Sequence, residues 1–158
     1  MKDAFNLKGK VKIIKTDSQT GELICETPYY KNLIVNGTDT GFNLILDRLY
    51  GTNTYSLNIT HLDTGTGITT PAISDTTLAS PVVRTSVATK VLDGDSITYR
   101  FFFADANLPN DDYGEVGLFI DGSTGVSTGQ MFSHALFGIP YTKGTGEDST
   151  FEYKLSKT

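Results

Sequence analysis

The stretch Val82–Ala104, VVRTSVATKVLDGDSITYRFFFA, decides the fold class. In its second half, apolar side chains occupy every second position: Ile97, Tyr99, Phe101 and Phe103. This period of two is typical of a β-strand with one buried face. Asp93-Gly94-Asp95 has the composition of a tight turn, and a second apolar segment precedes it. The stretch therefore predicts a central antiparallel hairpin.

The N-terminal part predicts a second hairpin, over about residues 8–27. Lys10–Lys15 alternates lysine with valine and isoleucine, and Glu22–Thr27 is expected to return beside it with Leu23 and Cys25 facing inward. Asp17–Gly21 supplies the turn. Lysines at outward positions suit an exposed sheet edge. We expect this hairpin to be able to reach a neighbouring molecule by adding a strand to it.

The helical period occurs once in the sequence. Apolar residues recur at i, i+3, i+4 and i+7 in the segment Phe42–Tyr50: Phe42, Ile45, Leu46 and Leu49. Gly51 follows at a position that often ends a helix. Further strands are predicted at 30–36, 57–62, 115–120, 130–137 and 150–155.

These elements predict a mainly β protein with one short helix. So many short strands must bury their inner faces against each other, which favours an antiparallel two-sheet sandwich of jelly-roll type. The length of 158 residues fits a single domain, residues 1–158.

Composition excludes several classes of function. The net charge is −5, so we expect no nucleic-acid partner, because such binding draws on clustered lysine and arginine. No apolar run is long enough to cross a membrane or to act as a secretory signal, so no membrane partner is expected. Cys25 is the sole cysteine, which excludes an intramolecular disulfide and fits assembly in a reducing cytoplasm.

The sequence contains no recognisable catalytic or cofactor-binding motif. His61 and His134 each lie in a predicted strand, and neither has an acidic residue or a second histidine at ligand spacing. We interpret both as packed or exposed strand residues. No nucleophile elbow or phosphate-binding loop occurs. We therefore expect no enzyme, no cofactor and no resident metal.

One acidic loop is an alternative metal site. Asp105, Asn107, Asp111 and Asp112 could form a loose calcium loop, although they do not match the EF-hand spacing. The competing interpretation is that these are solvated turn residues.

Several short segments, taken in order along the chain, resemble a family of tailed-phage virion proteins, the tail-collar or tail-fibre N-terminal attachment domains. The segments are 32–36, His61–Gly67 with its Gly65-Thr66-Gly67 ending, 71–84 up to Arg84, Glu115-Val116-Gly117-Leu118-Phe119, and 130–143. Where the family commonly has an acidic residue shortly before the arginine, this chain has Ser80-Pro81.

The resemblance implies a non-enzymatic structural subunit of the virion. Because no fibre shaft or receptor-binding tip follows residue 158, we expect an accessory or adaptor of the tail, baseplate or collar. Its partners would be other tail or baseplate proteins and further copies of itself, as trimers or hexamers. A capsid decoration protein, bound to the major capsid protein of the head, is the alternative within this class.

The five residues Glu115–Phe119, together with Arg84, Gly65 and Gly67, are the candidate structural or interface motif. Val116 and Leu118 are expected in the core, and Gly117 permits a close backbone approach. Glu115 is expected to pair with Arg84 or Arg100.

A carbohydrate-binding module is the alternative from another class. The chain has eight tyrosines, and aromatic faces stack on sugar rings. The tyrosines near predicted strand ends or loops are Tyr29, Tyr30, Tyr50, Tyr55, Tyr113 and Tyr141. Loss of glycan binding in Tyr113→Ala and Tyr141→Ala would support that function.

Overall fold

The first and last strands pair with each other, and this pairing sets the architecture. The computed structural model describes residues 6–158. The strands are β1 (Leu7–Asp17), β2 (Leu23–Glu26), β3 (Tyr30–Ile34), β4 (Ile59–Gly65), β5 (Pro81–Asp93), β6 (Ser96–Phe103), β7 (Asp112–Ile120), β8 (Gln130–Thr142) and β9 (Glu147–Lys157). One helix, α1 (Gly41–Tyr50), and a short 3-10 helix (Asp105–Asn107) complete the set.

The sheet closes into an eight-stranded antiparallel barrel, so the predicted two-sheet sandwich is wrong. The strand order is β1-β3-β8-β7-β4-β5-β6-β9, and β9 returns to pair with β1 along its whole length, from Leu7 opposite Lys157 to Asp17 opposite Glu147. A sandwich and a barrel share the same alternation of inward and outward residues. The sequence pattern could not separate them, because the deciding contact joins the two ends of the chain.

The barrel interior is filled by side chains. Aromatic and branched residues from every wall strand interlock there, among them Val11, Phe101, Val116, Phe151 and Tyr153, all fully buried. Phe103 and Phe151 meet edge to face, with ring centroids 5.5 Å apart. Eight strands leave an interior of about the size that side chains can fill.

Helix α1 lies beside the barrel and differs in part from its predicted stripe. Leu44 is fully buried, and Phe42 and Ile45 pack on the core. Leu46 and Leu49 are exposed, because only one side of this short helix touches the barrel. Gly51 ends the helix in the left-handed conformation (φ 89°), and its N–H reaches the Asp47 and Arg48 carbonyls.

Strand β2 forms a ribbon with β1 on the barrel wall. Thr27, the residue after β2, extends this pairing: its backbone N–H donates to the Ile13 carbonyl of β1. The chain then enters β3. All four β2 residues are exposed, so the inward orientation predicted for Leu23 and Cys25 is wrong. We call β1, the turn and β2 the ribbon, residues 7–26.

Candidate functional site

The motif residues of β7 divide between the two faces of the barrel wall. Val116 and Leu118 point into the core and are fully buried, which confirms that prediction. Glu115, Gly117 and Phe119 point outward, yet Glu115 and Phe119 are fully buried as well. A strand buried on both faces needs a cover on its outer side.

The cover is the segment 66–80 between β4 and β5, which we call the strap. Its Leu78 packs with Val35, Phe119 and Met131 in a small apolar cluster outside the barrel. The Ile73 carbonyl accepts from the N–H of Asn36 at 2.8 Å. The strap thus packs on the outer face of β7 and β8.

Glycines make room for the strap. A Cβ at Gly67 would lie 2.2 Å from Oε1 of Glu115, and one at Gly65 would lie 2.1 Å from the Ser80 carbonyl oxygen. A Cβ at Gly117 would lie 3.1 Å from Leu78. The Gly65-Thr66-Gly67 and Glu115–Phe119 motifs, separated by about fifty residues in the chain, therefore form one packed unit.

A buried charge cluster fastens the strap to the barrel. Nε2 of His134, on β8, lies 3.0 Å from Oε2 of Glu115, and Nδ1 lies 2.7 Å from Oδ2 of Asp75 in the strap. Glu115 also accepts the backbone N–H groups of Ala79 (3.0 Å) and Ser80 (2.7 Å). We call Asp75, His134 and Glu115 the clamp.

The clamp favours charged side chains. Burial opposes a charge on His134, but hydrogen bonds to Glu115 and Asp75, with their negative charges, outweigh it and hold the His134 pKa above its usual value. Burial likewise raises the pKa of Glu115, yet the hydrogen bonds from His134, Ser80 and Ala79 lower it overall. Both shifts favour an ion pair between His134 and Glu115.

Both ring nitrogens of His134 are engaged by carboxylates, Nε2 by Glu115 and Nδ1 by Asp75. Within residues 6–158, His134 bonds to no hydroxyl or thiol. The polar hollow of about 410 Å³ beside it is lined by the strap residues Thr69 and Ser74–Ala79.

The predicted pairing of Glu115 with Arg84 or Arg100 is wrong. Arg84 on β5 pairs with Asp63, directly opposite on β4, and both side chains are buried. Arg100 pairs with Glu152 at 2.8 Å. The cross-strand register decides these partners, and a single sequence does not reveal that register.

The Asp63–Arg84 pair anchors the loop that follows β7. Arg84 donates through Nη1 to the Ser123 carbonyl at 2.9 Å, and Asp63 accepts the N–H of Ser127 at 2.7 Å. The guanidinium also lies over the Phe119 ring, 4.6 Å from its centroid. His61 lies beside this pair, and burial together with the Arg84 charge lowers its pKa.

The acidic loop considered as an alternative calcium site holds an ammonium group. Nζ of Lys143, fully buried, lies 2.6 Å from Asp105 Oδ1, 3.1 Å from Asn110 Oδ1 and 2.6 Å from the Gly144 carbonyl oxygen. Asp111 accepts the N–H of Asp112. In the described part of the chain, no three acidic, histidine or cysteine side chains converge in a way that could hold a metal ion.

Of the tyrosines considered for sugar stacking, Tyr29 and Tyr50 are exposed, whereas the two chosen for the test, Tyr113 and Tyr141, are core residues. Tyr113 is fully buried and donates to the Pro109 carbonyl at 2.8 Å, and Tyr141 is 5% exposed with its hydroxyl 2.7 Å from that of Ser149. Neither ring face is available to a ligand.

Asp75, His134, Asp63 and Lys143 are the functional residues that sequence reasoning missed. A usable signal existed: each is a charged or titratable residue, and three of them lie in or beside an otherwise apolar strand, where a buried charge requires a partner. The partners are far apart in sequence, as with Asp75 and His134, so spacing alone could not identify them.

Between residues 6 and 158, no helix has the length and apolar character needed to span a membrane. Comparison of the chain with protein-family models, with curated proteins and with solved structures gives no match.

Proposed function

We propose that the chain is a non-enzymatic structural subunit of a tailed-phage virion, an accessory or adaptor of the tail, baseplate or collar. Two kinds of observation support this. The ordered segments from residue 32 to residue 143 resemble tail-fibre attachment domains. The side chains of those segments also pack the strap against the barrel and form the clamp, in which both ring nitrogens of His134 bond to carboxylates. Contacts of this kind hold two parts of a structure together.

The docking role is inferred from the unpaired edge of the ribbon. β2 pairs with β1 on one side and has no strand on its other side within the described residues. Leu23 is 60% exposed and Ile24 49% exposed along this free edge. An apolar unpaired edge is an unfavourable surface for an isolated protein and a suitable one for strand addition to a neighbour.

The test is the location of the protein in particles. Virions of the phage that encodes this chain are purified, and they are analysed by mass spectrometry and by immunogold labelling with an antibody to this chain. We expect label on the tail. Label on the head would overturn the tail assignment in favour of a decoration protein, and absence from purified particles would overturn the virion role.

A matched pair of variants tests the ribbon within the particle. Leu23→Glu places a charge on the free edge, while Leu92→Glu places one on a similarly exposed leucine of the β5–β6 hairpin. We expect the first to reduce incorporation and the second to leave it unchanged. Equal incorporation of both variants would remove the docking role of the ribbon.

A further inference from the structure

The barrel wall is open at one place, where β1 and β3 part. Their pairing covers only Lys10 opposite Lys31 and Val11 opposite Tyr30. Towards Leu7 on β1 and Ile34 on β3 the two strands separate, and a hollow of about 610 Å³ lies between them. We call this hollow, lined by residues 6–10, 31–34 and Lys154, the lysine opening.

Among residues 6–158, backbone groups on both sides of the opening have no partner strand. Asn6 and Thr158 exchange both backbone hydrogen bonds, so in this antiparallel ladder the next residue, Leu7, directs its N–H and C=O away from β9 and into the opening. On β3, Val35 bonds to Phe132 of β8, so Ile34 directs its backbone groups toward β1. A strand placed here would find unpaired edges.

Asn32 and Gly9 keep the strands apart. The Asn32 side chain lies against Gly9, where a Cβ would come within 2.4 Å of Nδ2. Both Oδ1 and Nδ2 of Asn32 are buried, and neither has a hydrogen-bond partner among residues 6–158. A buried amide without partners is costly, and a ligand in the opening could satisfy it.

The opening concentrates positive charge in an acidic protein. Lys10 lies directly opposite Lys31 on one neighbouring strand and Lys154 on the other, and Lys8 follows along β1. Within the described chain none of these four lysines forms an ion pair, although Lys10 Nζ lies over the Tyr29 ring, 4.2 Å from its centroid. Lys12 and Lys15 on the same strand pair with Glu26 and Glu147. Like charges directly opposite each other are destabilising, which points to an anionic partner.

The ribbon of another copy has the matching chemistry. Its free edge reads Glu22-Leu23-Ile24-Cys25-Glu26, an extended segment in which Glu22 forms no ion pair within the described residues, while Glu26 pairs with Lys12 of its own chain at 3.3 Å. Leu7, Leu33 and Phe42 supply the apolar part of the opening. We propose that the free edge of β2 of one copy pairs with the unpaired edge of β1 in the lysine opening of the next, with Glu22 facing the lysines.

This inference rests on the docking role given to the ribbon in the proposed function. Donor and acceptor lie on different patches of the same molecule, so the contact is head to tail, and it forms a ring if the rotation closes. The trimers or hexamers expected from the sequence would arise in this way.

Cys25 lies on the donor edge and allows a direct test. In the variant Lys8→Cys, mild oxidation with oxidised glutathione should link Cys25 of one copy to the introduced thiol at position 8 of the next, seen as a ladder on a non-reducing gel. Mass spectrometry should find the peptide pair joined through positions 25 and 8. The control variant, Thr52→Cys, places a thiol on an exposed loop residue after α1. If Cys25 links to position 52 in the control as readily as to position 8, the proposal is overturned.

Charge reversal gives a second measurement that does not depend on cysteine. Sedimentation should show association of the wild type that weakens with salt, and Lys10→Glu/Lys31→Glu should weaken it by about tenfold or more. Glu22→Lys should do the same, and mixing the two variants should restore association. The control Lys90→Glu should associate as the wild type does.

The outcomes separate this inference from the proposed function. A protein that is monomeric at every concentration overturns the ring contact, even if it is found in virions. Association with the expected charge dependence supports the contact, even if the protein is missing from particles. Unchanged association of Lys10→Glu/Lys31→Glu would also overturn it.

Discussion

The imidazole of His134 lies 3.0 Å from the carboxylate of Glu115, on the outer face of the barrel wall, and both side chains are buried beneath the strap. Neither residue is near the other in sequence, and neither faces the barrel core. The pair exists because β7 and β8 lie side by side, with His134 opposite Gly117, and because the strap excludes water from both. The attachment of the strap therefore depends on the ionisation of two side chains.

The first prediction is a pH window for the clamp. The His134 pKa is raised above 6.5, so its contribution to stability is complete below pH 6.5 and is lost as the pH rises through the folded-state pKa. The Glu115 pKa is lowered from 4.5, so its contribution is complete above pH 4.5 and is lost as the pH falls through the folded-state pKa. We expect the clamp to be strongest between these limits.

NMR titration of the two histidines checks this prediction. The His134 ring protons should titrate above pH 6.5, while those of His61, whose pKa is lowered by burial and by Arg84, should titrate below it. His61 is thus an internal control within the same sample. A His134 midpoint below that of His61 would contradict the clamp.

The second prediction concerns removal of the Glu115 carboxylate. Glu115→Ala leaves the His134 charge and the N–H groups of Ala79 and Ser80 without their acceptor, so we expect a loss of about 3–5 kcal/mol in the free energy of unfolding. Urea denaturation measures it. The control Glu22→Ala, on an exposed residue, should change stability by less than about 0.5 kcal/mol. Similar losses in the two variants would disprove a structural role for the clamp.

The third prediction is a steric one. Gly67→Ala places a Cβ 2.2 Å from Glu115 Oε1 and 3.0 Å from the Ala79 Cβ, and we expect it to destabilise the fold by about 1–3 kcal/mol through overpacking. Gly125→Ala is the matched control, because its Cβ would meet its nearest neighbour at an ordinary 3.5 Å. Thermal denaturation of both variants decides the question, and an unchanged Gly67→Ala protein would show that the strap can move aside.

The fourth prediction distinguishes the two partners considered for Arg84. A double-mutant cycle of Asp63→Ala and Arg84→Ala should give a coupling of at least about 1 kcal/mol, because both residues belong to one buried network. The cycle of Glu115→Ala and Arg84→Ala should be additive within about 0.5 kcal/mol. Stronger coupling to Glu115 than to Asp63 would contradict the observed pairing.

Local pattern was enough to predict most strands and the helix. Alternation located β6, and turn residues such as Asp93-Gly94-Asp95 separated it from β5. The closure of the sheet was not predictable, because it depends on a pairing between residues 7–17 and 147–157 that leaves no local signal. The same holds for Leu23, whose outward orientation follows from the lack of a strand beside β2.

The sequence allowed the motif residues of the site to be selected, but not the partners with which they interact. Gly65, Gly67 and Glu115–Phe119 were selected as motifs, and they do lie together under the strap. Their partners Asp75 and His134 come from other parts of the chain, and only the register of β7 against β8 and the path of the strap bring them into contact. A charge in an apolar strand signals a missing partner without identifying it.

The pairing of β1 with β9 also bears on how the chain folds. Residues about 140 positions apart must meet before the wall is complete, so this pairing carries the loop-closure entropy of nearly the whole domain, and non-local topologies of this kind fold slowly. On the ribosome, β1 must wait for β9 to be synthesised. Until then one edge of β1 has no strand to pair with, and lysines along a strand disfavour its pairing with other chains.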